Sequence, residues 1–294
     1  MSSILFAVLA GVAATVQNSL NGLMNPHIGA MGTSVVVFLV QALLLPLYQL
    51  CVVRRRISFR GVSLACGFSG LIAVIVIGTL GFCVSRMGSA VTTCCSVGGQ
   101  IMISALIDHF GLFGTARHPF TGRRALGFAL ILAGVLAINL AGSASGSEAP
   151  LGLLILAVLM GCGAVVVRTL NYRASQATGS MIGGGIVNSV SGAIFGVLLF
   201  LIPCGFRPDL SGFAGFPPVC YTAGLFGGAC LLLNIAAYAR QNVFYATIFM
   251  LVGQVSAGIA MDVFVFHALS AGKCAGIAVV LCGVLLDKLL TRGE

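Results

Sequence analysis

Charge is what this chain has least of. Six of its 294 residues are Asp or Glu and fifteen are Lys or Arg, so charged residues make up 7% of it and hydrophobic ones 59%. An ordinary soluble domain carries roughly 25% charged residues, so water is excluded as the main solvent. Tryptophan is missing altogether, which rules out a Trp-lined cage for choline-like ligands and leaves only Tyr and Phe to build one. The four histidines stand apart, at 27, 109, 118 and 267. They supply neither a zinc spacing nor the Ser/His or clustered-acid arrangement that an intramembrane enzyme acting on lipids would need. A repeated filter motif or ring of charge, as in a channel, is lacking too. No cofactor and no metal are implied. The start, Met1-Ser2-Ser3 running into Ile4, lacks the basic stretch and small-residue cleavage site of a removable signal peptide and reads as the first span.

What fills the chain is apolar runs of spanning length. A bilayer core takes about 20 helical residues per crossing, and ten such runs can be drawn, at 4–24, 33–53, 61–83, 89–109, 124–141, 151–172, 181–203, 219–239, 243–266 and 273–290. Run length and the lack of two-residue alternation point to helices rather than barrel strands, the two forms that satisfy a backbone in lipid. Forty glycines, with pairs such as Gly192 and Gly196, suit close helix packing in a membrane. Eleven cysteines, an odd number and mostly inside apolar runs, behave as small buried hydrophobes rather than as a disulfide framework.

The net charge of +9 does not call for nucleic acid, because the bases sit in short loops and at helix ends. Counted by side, eleven Lys and Arg fall on the face of the N-terminus and three on the other, with Arg168 left inside a span. The positive-inside rule then predicts both termini in the cytoplasm.

Residues 99–111, GQIMISALIDHFG, set the register of the whole chain. Gly253-Gln254 with Asp262 repeats the spacing of Gly99-Gln100 with Asp108, and the same offset of 154 aligns Gly70 with Gly224 and Arg86 with Arg240. Asn21 matches Asn171, and Gln41 falls opposite Asn188. The chain thus reads as a duplication, with residues 1–145 and 146–294 as its two units and the stretch 141–150 as the joint. Five spans per unit force the second to enter the membrane from the opposite face. The predicted fold class is an all-α integral membrane protein of ten transmembrane helices, arranged as two inverted five-helix repeats.

Neutral amides mark the candidate site. Gln17, Asn18, Asn21 and Asn25 form a polar stripe on an otherwise apolar first helix. Gln41, Gln100, Asn188, Asn234 and Gln254 lie well inside their spans and should meet near the midplane if the repeats are inverted. Interhelical hydrogen bonding, about 0.6 kcal/mol each, is the plainer account of any one amide. Asn171 and Arg168 join the set from the sixth run. Arg168 either snorkels to the headgroups from near the inner end of that run or stands as a fixed cation in the cavity. Asp108 and Asp262, near the ends of their runs, are helix-end acids or coupling groups, and Asp108 with His109 could handle a proton. The five tyrosines read first as interfacial anchors.

Five-plus-five inverted helices resemble the drug/metabolite transporter superfamily, and residues 99–111, with Gly11 to Gln17 and Asn21, resemble its YdcZ-like branch. Many members of that branch are single five-helix units, so this chain resembles a fused pair. Its second half departs from the pattern, with Val263-Phe264-Val265 where His109-Phe110-Gly111 stands in the first and Arg168 where Asn18 would be expected. The resemblance implies an inner-membrane transporter, often described as an exporter, in a bacterial-type plasma membrane. It further implies a central cavity between helices 1 to 4 and their repeat, with helices 5 and 10 as a packing or dimer surface. Small multidrug-resistance relatives use a glutamate in the first helix, and only amides occur here, so quaternary cations are disfavoured. The expected cargo is a small neutral, zwitterionic or weakly anionic metabolite, handled by a monomer or homodimer. Uptake by a proton- or sodium-coupled symporter is the alternative, and an intramembrane lipid enzyme a weaker one.

Overall fold

The computed structural model describes residues 2–54, 56–112, 150–208, 210–241 and 243–264. The expected runs at 124–141 and 273–290 lie outside the described residues, as does the joint at 141–150 up to residue 149. Among the described residues the chain is helical and contains no strand.

Helix α1 spans Ser2–Tyr48 and is two arms joined at Gly29, whose φ of 67° and ψ of 176° leave the helical region. That positive φ is open to glycine at little cost. Here the structure departs from the sequence reading, which left 25–32 as a connection. The arms run up to Gly29 from both sides, and Thr33 Oγ1 donates to the Gly29 carbonyl at 2.7 Å. A π-helical turn, Gln49–Val53, ends the second arm, closed by Arg54 at φ 55°.

Ser63 caps the short α2, Leu64–Gly67. Helices α3, Ser69–Met87, and α4, Ser89–Phe110, are parted by Gly88 alone. Helix α5 spans Leu151–Thr178 and ends at Gly179 in the left-handed region. It runs six residues past the expected end at 172, because Ala174 and Thr178 continue its buried face while Arg173 and Gln176 stay exposed. Helix α6, Met181–Leu201, starts at a Ser180 cap. Helices α7, Ala223–Tyr238, and α8, Val243–Phe264, complete the described chain.

Six helical stretches among the described residues are long and apolar enough to cross a membrane, and Tyr245–Met261 is a shorter apolar helix. The first stretch, Ile4–Val53, has 50 residues. At 1.5 Å per residue that is roughly 75 Å, more than twice a hydrocarbon core of about 30 Å, so its two arms are long enough for two crossings. The outer faces are apolar, with Leu43, Leu50, Leu64, Leu151 and Phe264 each well exposed, while Gln17, Asn21, Gln41, Gln100, Asn188 and Gln254 are buried. Oil outside and amides inside is the distribution that lipid, not water, selects.

The two sequence halves interlock. A Cβ on Gly11 of α1 would strike the Met250 carbonyl of α8, and one on Gly253 would strike the Val8 carbonyl. The crossing of α4 with α5 repeats this contact for contact: a Cβ on Gly161 would strike the Ser96 carbonyl, and one on Gly99 the Val158 carbonyl. The register that aligns Asn21 with Asn171 also aligns Val8 with Val158 and Gly11 with Gly161, and the offset of 154 aligns Ser96 with Met250. Each crossing joins a helix of one half to a helix of the other. Gly70 and Gly224, also 154 apart, sit at comparable cross-half contacts, against Ser191–Gly192 of α6 and against Val37 and Val40 of α1.

Candidate functional site

Between these crossings lies a cavity of about 110 Å³. The first arm of α1 presents Gln17 and Asn18 to it and the second arm Gln41; α4 adds Ser96 and Gln100, and α5 adds Arg168 and Asn171. Asn188 comes from α6, Asn234 from α7 and Gln254 from α8, while Ala73, Val76, Ile77 and Leu80 of α3 form an apolar wall. Nine of the ten expected substrate contacts therefore share one space. Asn21 is the tenth. It is fully buried at the crossing of α1 with α3, where a Cβ on Gly81 would lie 3.0 Å from the Asn21 Cβ.

At the centre, Gln100 Nε2 donates to Gln254 Oε1 at 3.3 Å and to Ser96 Oγ at 3.1 Å. The Arg168 guanidinium donates to Gln100 Oε1 at 2.9 Å. With α5 extended to Thr178, Arg168 lies well inside the helix and its charged end lines the cavity. The groups that meet it are neutral, the Gln100 amide oxygen and the Tyr238 hydroxyl. Around it, Asn234 Nδ2 bonds back to the Cys230 carbonyl at 3.0 Å, Ser69 Oγ donates to Asn188 Oδ1 at 3.4 Å, and Thr15 Oγ1 donates to the Gln254 carbonyl at 3.1 Å.

Three of the lining amides hold polar atoms with no hydrogen-bond partner: Gln17 Nε2, Gln41 Oε1 and Asn171 Oδ1. A buried polar atom left in that state costs about 1 to 3 kcal/mol. These three atoms face a space where a polar ligand could meet them.

A family model described as "Putative inner membrane exporter, YdcZ" matches the chain twice, over residues 2–137 and 152–286. The chain belongs to the YdcZ family. It is an inner-membrane protein of the exporter class, in the fused two-repeat form. A solved structure described only as "Crystal structure of protein" is similar in fold, with 17% identity, a TM-score of 0.60 and 98% of each chain covered. No curated protein matches the chain.

In this YdcZ-family chain Asp108 is buried on α4 and His109 is half-buried beside the Phe110 ring. The Tyr238 hydroxyl lies within electrostatic reach of both Arg168 and Asp108. Asp262 belongs to the last turn of α8, and its side chain lies outside the described residues. Tyr238 corrects the anchor reading: it is 4% exposed, with its hydroxyl 3.5 Å from Thr247 Oγ1 and its ring edge-on to Tyr172. Sequence reasoning passed over Ser96, which lies one helical turn before Gln100 on the same face. It also passed over Gly227, where a Cβ would strike Gln41 Nε2 and crowd Gln17. The Gly227-Gly228 pair was the available signal for that close approach.

Proposed function

We propose that this YdcZ-family chain is a secondary active transporter that exports a small neutral, zwitterionic or weakly anionic metabolite. Two inverted five-helix repeats rock against each other and open the central cavity to one face and then the other. The observation that carries this reading is the convergence of ten polar side chains from both sequence halves on one cavity, three of them with orphaned atoms. The repeated crossings of α1 with α8 and α4 with α5 support it further, since helices related by an inverted duplication make the same contact twice. Asp108, His109 and Asp262 are the proposed coupling groups, and both termini are placed in the cytoplasm on the charge count.

Purified protein in liposomes, given a metabolite panel under imposed pH and sodium gradients, tests the reading. Gradient-dependent movement of a small solute is the expected result. Net accumulation driven inward in the cell would turn the exporter into a symporter, and chemical turnover of a lipid without solute movement would replace the transporter with an enzyme.

A further inference from the structure

Among the described residues that line the cavity Arg168 is the only charged side chain; none of the others is acidic and none is aromatic. An ammonium ligand would find neither a carboxylate nor a ring face there, and it would meet a fixed positive charge of its own sign. The guanidinium itself is met by neutral oxygens, Gln100 Oε1 at 2.9 Å and, beside it, the Tyr238 hydroxyl. A charge-assisted bond to an anionic oxygen is roughly twice as strong as one between neutral groups, so the cavity's strongest donor has a second-rate acceptor. Giving it up leaves Gln100 Oε1 in need of another donor, such as a hydroxyl or N–H of the ligand.

We infer that the cavity takes a small organic monoanion, whose oxygen replaces Gln100 Oε1 on the Arg168 guanidinium. This rests on the transporter reading and narrows its cargo. One cation suits one negative charge; a second would meet only amides. The orphaned Gln17 Nε2 calls for an acceptor on the ligand, and the orphaned Gln41 Oε1 and Asn171 Oδ1 call for a donor such as a hydroxyl or amide N–H. Size sets a further limit. At about 10 to 15 Å³ per water, 110 Å³ has room for roughly seven to eleven waters, so the ligand is a small hydroxy acid or N-acyl amino acid rather than a nucleotide or a drug-sized molecule.

Gln100 is then the specificity-setting residue as well as the placeholder. While it occupies the guanidinium it competes with the ligand, and the apparent affinity falls with the fraction of time the site is closed to the ligand. Displacement also disturbs its bond to Gln254, the one that ties the two repeats at their equivalent positions, so an occupied cavity differs from an empty one at the contact between the halves.

The test uses the purified full-length chain in detergent and matched pairs of acid and uncharged amide: lactate with lactamide, and N-acetylglycine with N-acetylglycinamide, with ethanolamine and choline as cations. Thermal unfolding is followed at millimolar ligand. At least one acid is expected to raise Tm by a few degrees while its amide and both cations do not. The shift should vanish in Arg168→Gln and persist in Arg86→Gln, an exposed control outside the cavity. In Gln100→Ala the same acid should bind about fivefold tighter, because the competitor is gone. A purely structural glutamine would weaken binding instead. The inference is overturned if no acid binds, if an amide or cation binds as well as its acid, if the shift survives Arg168→Gln, or if Gln100→Ala weakens the acid. Flux in liposomes separates the two readings: movement of neutral solutes without acid binding keeps the transporter and ends the monoanion, whereas acid binding without movement of any solute does the reverse.

Discussion

Gln100 and Gln254, 154 residues apart and matched to one another by the internal repeat, share a hydrogen bond of 3.3 Å at the floor of the cavity. The bond joins the two halves of the duplication inside the candidate site, and the helices that bear the pair, α4 and α8, each cross a helix of the other half through glycine.

Those glycine crossings should be intolerant of side chains. Gly99→Leu and Gly253→Leu each drive a side chain into a backbone carbonyl that cannot swing aside. A loss of about 1 to 3 kcal/mol is expected for overpacking of this kind, seen as a lower Tm and less monodisperse protein on gel filtration. Gly152→Ala, where a Cβ meets nothing within 4 Å, is the control and should behave as wild type. Equal stability of all three variants would mean the crossings are looser than described.

Asn21 and Asn171 should trade places during transport. Asn171 now lines the cavity while Asn21 is shut against α3 with both polar atoms of its side chain unpartnered. Under inverted-repeat exchange, Asn21 joins the cavity in the opposite-facing state and Asn171 is occluded. Asn21→Leu should leave ligand binding to the resting protein intact and slow turnover, whereas Asn171→Leu should weaken binding. Identical binding losses in both variants would count against the exchange.

Asp108 should govern pH dependence. It is buried on α4, and the Tyr238 hydroxyl lies within electrostatic reach of it and of Arg168. A carboxyl that binds a proton on one stroke and loses it on the other makes transport depend on the proton gradient. Asp108→Asn, which fixes the neutral state, is expected to flatten the pH profile of flux in liposomes while ligand binding persists. An unchanged profile would take Asp108 out of the coupling path.

Topology gives the fourth expectation. Accessibility labelling of single cysteines in a cysteine-depleted background should find residues 56–60 and 111–123 on the same face as both termini. Residues 111–123 reacting from the other face would undo the charge-based orientation.

Much of this site was legible in the sequence, because amides inside apolar runs are costly unless something uses them, and nine of the ten expected contacts lie in one cavity. The Gly-Gln-Asp register pairs Gln100 with Gln254, and the two meet in the cavity. Other features depend on context that sequence does not carry. The polar letters Tyr172 to Gln176 look like the start of a loop, yet Ala174, Ser175 and Thr178 keep a buried face, and that extra stretch of helix leaves Arg168 ten residues from the helix end, beside the cavity. Gly29 looks like part of a linker because Asn25, Pro26 and His27 precede it, although a single positive φ suffices to join the arms. Tyr238 follows the packing around it, where Thr247 meets its hydroxyl, rather than the statistics of membrane interfaces. Asn21 and Asn171 are the same residue in the same repeat position, so nothing in their letters can say which is open in a given conformation.

One break in the duplication reaches further than its size suggests. Asn18 and Arg168 occupy corresponding places and both border the cavity, so a duplicated chain has been given a single electrical pole. An anion held there leans on one half of the duplication far more than on the other. Net flow still obeys the gradients, but the concentration needed for half-saturation need not be equal on the two faces of the membrane, and a cell could then drain a metabolite efficiently while drawing little of it back.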